Sequence, residues 1–324
     1  MRYEPAFAGS TTFQKVPLVS EPAELRGADV AIVGAPMDEF VTYRPGARFG
    51  PREIRIANDA GAEPKMPHMD LGMDPFAVLR VVDYGDAHVV PADPAASHEG
   101  IRRAVSDVVA AGAIPVILGG DHSIAYPTIS AVAAPRPSGS LAVVQFDTHA
   151  DTATENWGVR RAHGTPFRHL VDEGHLPGDR LIQVGLRGYW PGPPEFEWAR
   201  AAGVRWHRME EVIGDGIGTV VERVLEETSG AAAVFLSVDI DVLDPAFAPG
   251  TGTPEPGGMS TRELLYAVRT IAAARDIAGV EIVEVSPPYD HASITALAAN
   301  RVVMEALSGI ALRRSGSAPR PEDP

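Results

Sequence analysis

The sequence predicts an α/β protein, a three-layer sandwich in which a parallel sheet carries helices on both faces. Three observations lead there. Seven short runs rich in β-branched residues are apolar almost throughout, the pattern of strands buried on both faces. Helical stretches with an apolar stripe lie between several of them. Glycine and proline cluster at the ends of the runs and form no single linker.

The expected strands are Asp29–Ala35, Leu79–Asp83, Ile114–Leu118, Leu141–Phe146, Leu181–Val184, Val234–Val238 and Val280–Val285. Among the helices, Ser97–Ala111 sets Ile101, Val105, Val108 and Val109 on one stripe, and Ile217–Thr228 does so with Val220, Val221, Val224 and Leu225. Thr261–Ala274 and Ile294–Leu307 complete the alternation. With no internal repeat or composition shift, one domain over residues 1–313 is expected, followed by a disordered tail over 314–324. Gly61–Phe76 reads as a long loop with Met66, Met69 and Met73.

Composition narrows the function. The chain has 324 residues, 45% hydrophobic and 22% charged, enough to bury a sizeable core. Its 28 basic and 43 acidic residues give a net charge of −15. That field disfavours nucleic acid and anionic membrane and suits a small cationic ligand. The absence of cysteine excludes disulfides, thiol nucleophiles and thiolate-bound metals. Met1–Gly27 lacks the pattern of a signal peptide, and no apolar run approaches the length of a bilayer span, so a cytoplasmic protein is expected.

Three of the expected strands run directly into acidic and histidine residues. Ile114–Leu118 leads into Gly-Gly-Asp121-His122-Ser123, Leu141–Phe146 into Asp147-Thr-His149-Ala-Asp151, and Val234–Val238 into Asp239-Ile-Asp241. Ligands of open parallel sheets bind beyond the carboxyl ends of strands. In extended chain, Asp147, His149 and Asp151 would share a face, as would Asp239 and Asp241. Each cluster alone is compatible with an ordinary turn; together they bring two imidazoles and four carboxylates to one edge. Such carboxylates repel unless cations neutralise them, and two divalent ions balance four aspartates. The N/O donor set suits Mn²⁺, with Co²⁺, Ni²⁺, Fe²⁺ or Zn²⁺ as alternatives. A pair of ions can turn a shared water into a hydroxide nucleophile. His163, beside glycine in a loop, is a candidate proton shuttle. Glu284, at the end of a buried run, is a candidate partner for a guanidinium.

These residues resemble the ureohydrolases, the arginase–agmatinase family, in its agmatinase-like branch. The resemblance rests on Gly-Gly-Asp121-His122-Ser123, Asp147-Thr-His149-Ala-Asp151 and the long segment from Ser237-Val-Asp239-Ile-Asp241 to Gly258. Tyr43-Arg-Pro-Gly-Ala-Arg-Phe-Gly-Pro51 and Asp83-Tyr-Gly-Asp86 add to it, and it runs from Asp29 to Leu312. It implies a sheet of about eight strands and two Mn²⁺ per chain. His122, Asp147, Asp151 and Asp239 would hold one ion; His149, Asp147, Asp239 and Asp241 would hold the other. It further implies that His163 shuttles protons, Glu284 orients a guanidinium and Asp151 hydrogen-bonds the hydroxide. The implied reaction releases urea and an amine, with agmatine the default substrate. Guanidinobutyrate, guanidinopropionate, guanidine and proclavaminate-type compounds are the alternatives. A homo-oligomer, hexamer or trimer, is also implied. Thr148 stands where the family usually has alanine. Thr152–Arg161, with Asn156, Trp157, Arg160 and Arg161, and the Met66–Met73 loop are where specificity is expected. The reading from a different class is a catalytically silent scaffold, or a deacylase; loss of a bridging aspartate would signal the former, and none is lost.

Overall fold

The computed structural model describes residues 8–57 and 66–316. Eight strands, β1 (Val30–Ala35), β2 (Val81–Asp86), β3 (Ile114–Gly119), β4 (Leu141–Phe146), β5 (Leu181–Leu186), β6 (Arg205–Arg208), β7 (Ala233–Asp239) and β8 (Ile277–Val283), form one sheet in the order β2-β1-β3-β8-β7-β4-β5-β6. All seven pairings are parallel. Every residue of β1, β4, β5, β7 and β8 is buried. Helices cover both faces, giving two apolar cores. One includes Val144, Leu236, Val280 and the helix Thr261–Ala274; the other includes Val143, Ile117, Phe235 and the helix Pro94–Ala110.

The helix Ile294–Ser315 packs against Thr261–Ala274 and buries residues around most of its circumference. It is the exception to the expectation that no segment is long and apolar enough to span a bilayer. Its most apolar 18-residue window has mean hydropathy 1.2, and 78% of that window is buried inside the protein. The hydrophobicity is that of a core helix. The helix also carries Arg314 and Ser315 beyond the expected domain end; the rest of the expected tail, from residue 317, lies outside the described residues.

Sheet order brings the useful strand ends together. β3, β8, β7 and β4 are four consecutive central strands, and each is followed by residues that the sequence marks as chemical. The Asp83-x-x-Asp86 motif has a structural task. Arg55 donates to Asp83 and to Asp86, at 2.6–3.0 Å, which ties the helix Gly50–Ile56 to β2.

Candidate active site

After β3 the chain makes a sharp turn through Gly120. A Cβ there would lie 1.7 Å from the Met37 carbonyl oxygen, so only glycine fits this approach. Asp121 then accepts from the Ser123 and Phe40 amides at 3.0 Å and opens the turn that delivers His122. His122 is fully buried.

The expected extended geometry after β4 and β7 is not what the chain adopts. Residues 148–149 form a bend and Asp151 has φ 51°, while Ile240–Val242 is a 3-10 turn. The carboxylates themselves drive this. Asp147 accepts from the His149 amide at 2.6 Å and Asp239 from the Asp241 amide at 2.9 Å, each closing its own turn. Convergence thus comes from bending the chain, and the ligand set still meets. His122 Nδ1 lies 3.0 Å from Asp147, 2.9 Å from Asp151 and 3.3 Å from Asp239. His149 Nδ1 lies 3.1 Å from Asp241 and 3.7 Å from Asp147. The bend also turns Thr148 inwards, fully buried, with a hydroxyl that has no hydrogen-bond partner; nothing in the structure explains it.

Two groups have metal-binding geometry, His122–Asp147–Asp151 and Asp147–His149–Asp241. Adjacent donors each about 2.1 Å from an ion stand about 3 Å apart, close to the separations seen. His122 Nδ1 is buried and makes no hydrogen bond. Its other nitrogen explains why. His122 Nε2 lies 2.9 Å from Ser237 Oγ, and Ser237 donates to Glu281 at 2.7 Å. With its own proton committed to Glu281, Ser237 can only accept, so Nε2 carries a ring proton and Nδ1 is the nitrogen left to face the carboxylates or an ion.

The protonation of the cluster points the same way. Burial, with Asp151 and Asp241 close by, pushes Asp147 up to about 7. Burial, then Asp241 and Asp147, hold Asp239 well above the usual carboxylate range. Burial alone would depress His149, but Asp241, Asp147 and Asp151 outweigh it and raise the ring to about 10. The protein without cations retains protons that divalent ions would displace.

Arg187 follows β5 and donates to the main-chain carbonyls of Asp241, Val242, Leu243 and Glu255, fixing the turn that carries Asp241. A Cβ at Gly258 would meet its guanidinium at 2.5 Å, one reason for glycine in the long motif.

Glu284 lies just past β8, whose last residue is Val283, one short of Glu284 itself and two short of the expected strand end. It has φ 64° and is fully buried. Its Oε1 is 2.9 Å from His163 Nδ1 and accepts from the His122 amide at 2.9 Å. Its Oε2 is buried without a partner. His163 Nε2 lies 2.8 Å from Thr42 Oγ1, so both ring nitrogens are engaged. Burial lowers the His163 pKa, but Glu284 outweighs it and the ring titrates at about 9.

A cleft of about 380 Å³ opens above these residues. His149, Asp151, His163 and Asp239 reach it, with Thr42, Glu155, Asn156, Trp157, Trp190 and Thr253. Arg160 and Arg161 turn away to Glu173, at 3.2 and 2.8 Å. The Met66–Met73 loop is absent from the lining; His68 ties it to Glu305 on the last helix. Glu155 lies in the expected specificity segment Thr152–Arg161 and Thr253 in the long motif ending at Gly258; Thr42 and Trp190 sit in loops that no motif marks. For Ser237 and Glu281 there was a signal: polar residues inside otherwise apolar runs.

Known proteins share this arrangement. The family model described as "Arginase family" matches residues 28–309. A solved structure of proclavaminate amidinohydrolase from Streptomyces clavuligerus superposes with TM-score 0.88 at 38% identity, covering 96% of this chain and all of that one. Guanidinopropionase of Pseudomonas aeruginosa is 39% identical over 97% of this chain and 96% of its own length. Mitochondrial agmatinase of Gallus gallus is 39% identical over 87% of this chain and 81% of its own. The fold, the strand-end ligands and these matches agree, and the chain belongs to the arginase family, whose members are hydrolases of guanidino C–N bonds.

Proposed function

We propose that this chain hydrolyses agmatine to putrescine and urea, with two Mn²⁺ per chain. The observation that supports agmatine is the charge of the cleft. Among its described lining residues there is no lysine or arginine, while Glu155, Trp157 and Trp190 are there. A primary ammonium tail is attracted to a carboxylate and to indole side chains; a carboxylate tail has no lysine or arginine to pair with there.

His122, Asp147, Asp151 and Asp239 would hold one ion, and His149, Asp147, Asp239 and Asp241 the other. Ni²⁺, Co²⁺, Fe²⁺ and Zn²⁺ suit the same donors. When bound, the pair lowers the pKa of a shared water towards neutrality and so supplies the nucleophile. The protein's own groups do the rest. Glu284 Oε2, buried and unpartnered, is satisfied by a guanidinium N–H, which turns the guanidinium carbon towards the nucleophile. Asp151 accepts a hydrogen bond from the attacking water. His163, charged at neutral pH beside Glu284, holds a proton at Nε2 on the Thr42 side and gives it to the leaving amine as the C–N bond breaks.

A second reading has specific support. By sequence, the proclavaminate and guanidinopropionate hydrolases match 94% and 97% of this chain, and the Gallus gallus agmatinase 87%. A guanidino acid is therefore the competing substrate class, guanidinobutyrate and free guanidine included. The test is urea release from the Mn²⁺-loaded protein across agmatine, guanidinobutyrate, guanidinopropionate, arginine and guanidine, with a chelated control. Highest kcat/KM on agmatine, lost on chelation, is expected; preference for an acid would overturn the assignment. The proposal includes a cytoplasmic homo-oligomer, a hexamer or trimer, whose mass light scattering reads.

A further inference from the structure

Beneath the ligands the sheet carries a polar row of which the motifs mark only Ser237. Register places Gln183 of β5 beside Gln145 of β4, Gln145 beside Ser237 of β7, and Ser237 beside Glu281 of β8. All four are at most 1% exposed. Gln145 and Ser237 each stand two residues before a ligand, Asp147 and Asp239, on the strand face that the ligand would continue. Burying four polar side chains in one layer is costly unless each is bonded. These are bonded in two runs of opposite sense.

At the β8 end, Glu281 accepts. Ser237 and Thr128 donate to it at 2.7 and 2.6 Å, and the Ser237 oxygen is then left to take the His122 proton. At the β5 end, the amides donate. Gln183 Nε2 donates to Gln145 Oε1 at 2.7 Å and to the Ala150 carbonyl at 2.6 Å. Gln145 Nε2 donates to Asp147 Oδ2 at 2.7 Å and to the His149 carbonyl at 3.2 Å.

We propose that Gln145 and Gln183 are positioning residues of the metal centre, an amide relay that holds Asp147 as a ligand shared by two ions. Each Asp147 oxygen has one donor on the protein side, Gln145 for Oδ2 and the His149 amide for Oδ1. Each then keeps a lone pair for the other side, where His122 Nδ1 lies 3.0 Å from Oδ2 and His149 Nδ1 lies 3.7 Å from Oδ1. Gln183 decides which end of Gln145 faces the carboxylate. An amide's two ends are alike in shape, and a flipped Gln145 would set NH₂ against NH₂ here and oxygen against oxygen at Asp147. The same amides hold the carbonyls of His149 and Ala150, so they also fix the bend that turns His149 and Asp151 into the cluster.

The inference rests on reading the cluster as a metal centre and is independent of the substrate. Its test is calorimetric titration of Mn²⁺ into metal-free wild type, Gln145→Glu and Gln183→Leu, with the melting temperature of each metal-free protein. Gln145→Glu keeps the shape and replaces the donor by an acceptor facing Asp147. It is expected to weaken Mn²⁺ binding about tenfold to a hundredfold. Gln183→Leu frees Gln145 to flip and is expected to weaken it less. Both metal-free proteins should melt within a few degrees of wild type, since the fault lies in the ligand's orientation. Wild-type affinity in Gln145→Glu would overturn the inference, as would losses in both variants that follow a fall in metal-free stability. If Gln145→Glu does not fold, Gln183→Leu carries the test, and wild-type affinity in that variant overturns the inference. Wild type that takes up no Mn²⁺ overturns the metal-centre reading itself.

Discussion

The floor and the rim of the cleft are built by different rules. Floor residues follow buried central strands and are held more than once. Asp147 has two donors, His122 a partner on Nε2, and Asp241 accepts from the Thr148 amide at 3.3 Å and lies beside His149. Rim residues stand on loops. Trp157 is 84% exposed, at the tip of a loop that the paired main chains of Asn156 and Val159 close. The contrast separates chemistry from selection. A rigid edge can be kept while loops above it are exchanged, so one fold serves several substrates. Relatives at 38–39% identity carry names that denote different guanidino substrates, as this division predicts.

The strongest way to break the comparison is at the floor. Asp147→Asn and Asp239→Asn remove a charge shared by both proposed ions. Each is expected to lower metal affinity by more than about a hundredfold, beyond what loss of a supporting contact costs, and to abolish urea release with the fold intact. Metal analysis and circular dichroism on the same samples check this. Full metal content with full activity in either variant would mean that the aspartates only shape their turns.

The next effect divides binding of metal from turnover. His163→Ala is expected to lose about a hundredfold or more in kcat with metal content unchanged. Glu284→Gln should likewise keep its metal and lose turnover. It also makes a pH prediction with a definite sign. Against burial, Glu284 does most to raise His163 to about 9, with Asp151 and Asp121 adding to it. Without that charge, burial favours the neutral ring, so the proton leaves at lower pH and the alkaline limb of kcat moves down. A pH profile superimposable on wild type would detach Glu284 from His163 in function.

The same contrast explains what was legible in the sequence. The seven runs that become strands lie where the sheet is covered, and continuous apolarity is the mark of that. The eighth strand, β6, is Arg205–Arg208 at the sheet edge, where only His207 is buried. With its faces only partly covered it leaves no apolar run. The helix Ala125–Ala133 was missed for the opposite reason. All but two of its residues, Tyr126 and Ala133, are buried, so no stripe distinguishes a face. The candidate ligands were legible because few residue types bind metal. Their geometry was not, because alternation presumes an extended chain and here the carboxylates capture nearby amides and bend it. Gln145 broke an apolar run, but only the register with Gln183 shows what it faces. Of the segment expected to set specificity, Arg160 and Arg161 pair with Glu173, while Asn156 and Trp157 line the cleft.

At the rim the effects are smaller and fall on KM. Glu155→Gln is expected to raise the agmatine KM about threefold to fivefold, the scale of an exposed ion pair, and to leave guanidinobutyrate unchanged or improved. Equal changes for both substrates would show that Glu155 does not read the tail.

The mildest substitution separates the two regions most sharply. Asn156-Trp157-Gly158-Val159 closes as a two-residue turn, with φ 49° at Trp157 and 81° at Gly158. Both central residues are left-handed, and a bulky aromatic at the first is strained where asparagine is favoured. Local stability therefore does not account for the tryptophan, and the residue lines the cleft. Trp157→Asn is expected to raise the melting temperature by about 2 °C, from relief of about 1 kcal/mol of strain in a chain of this size. It is expected at the same time to raise the agmatine KM several-fold through loss of a cation–π contact. At the floor every substitution should damage metal binding or turnover, whatever it does to the metal-free fold. Here the fold should improve while the substrate is lost. A lower melting temperature with unchanged KM would place Trp157 with the scaffold and erase the division at this point.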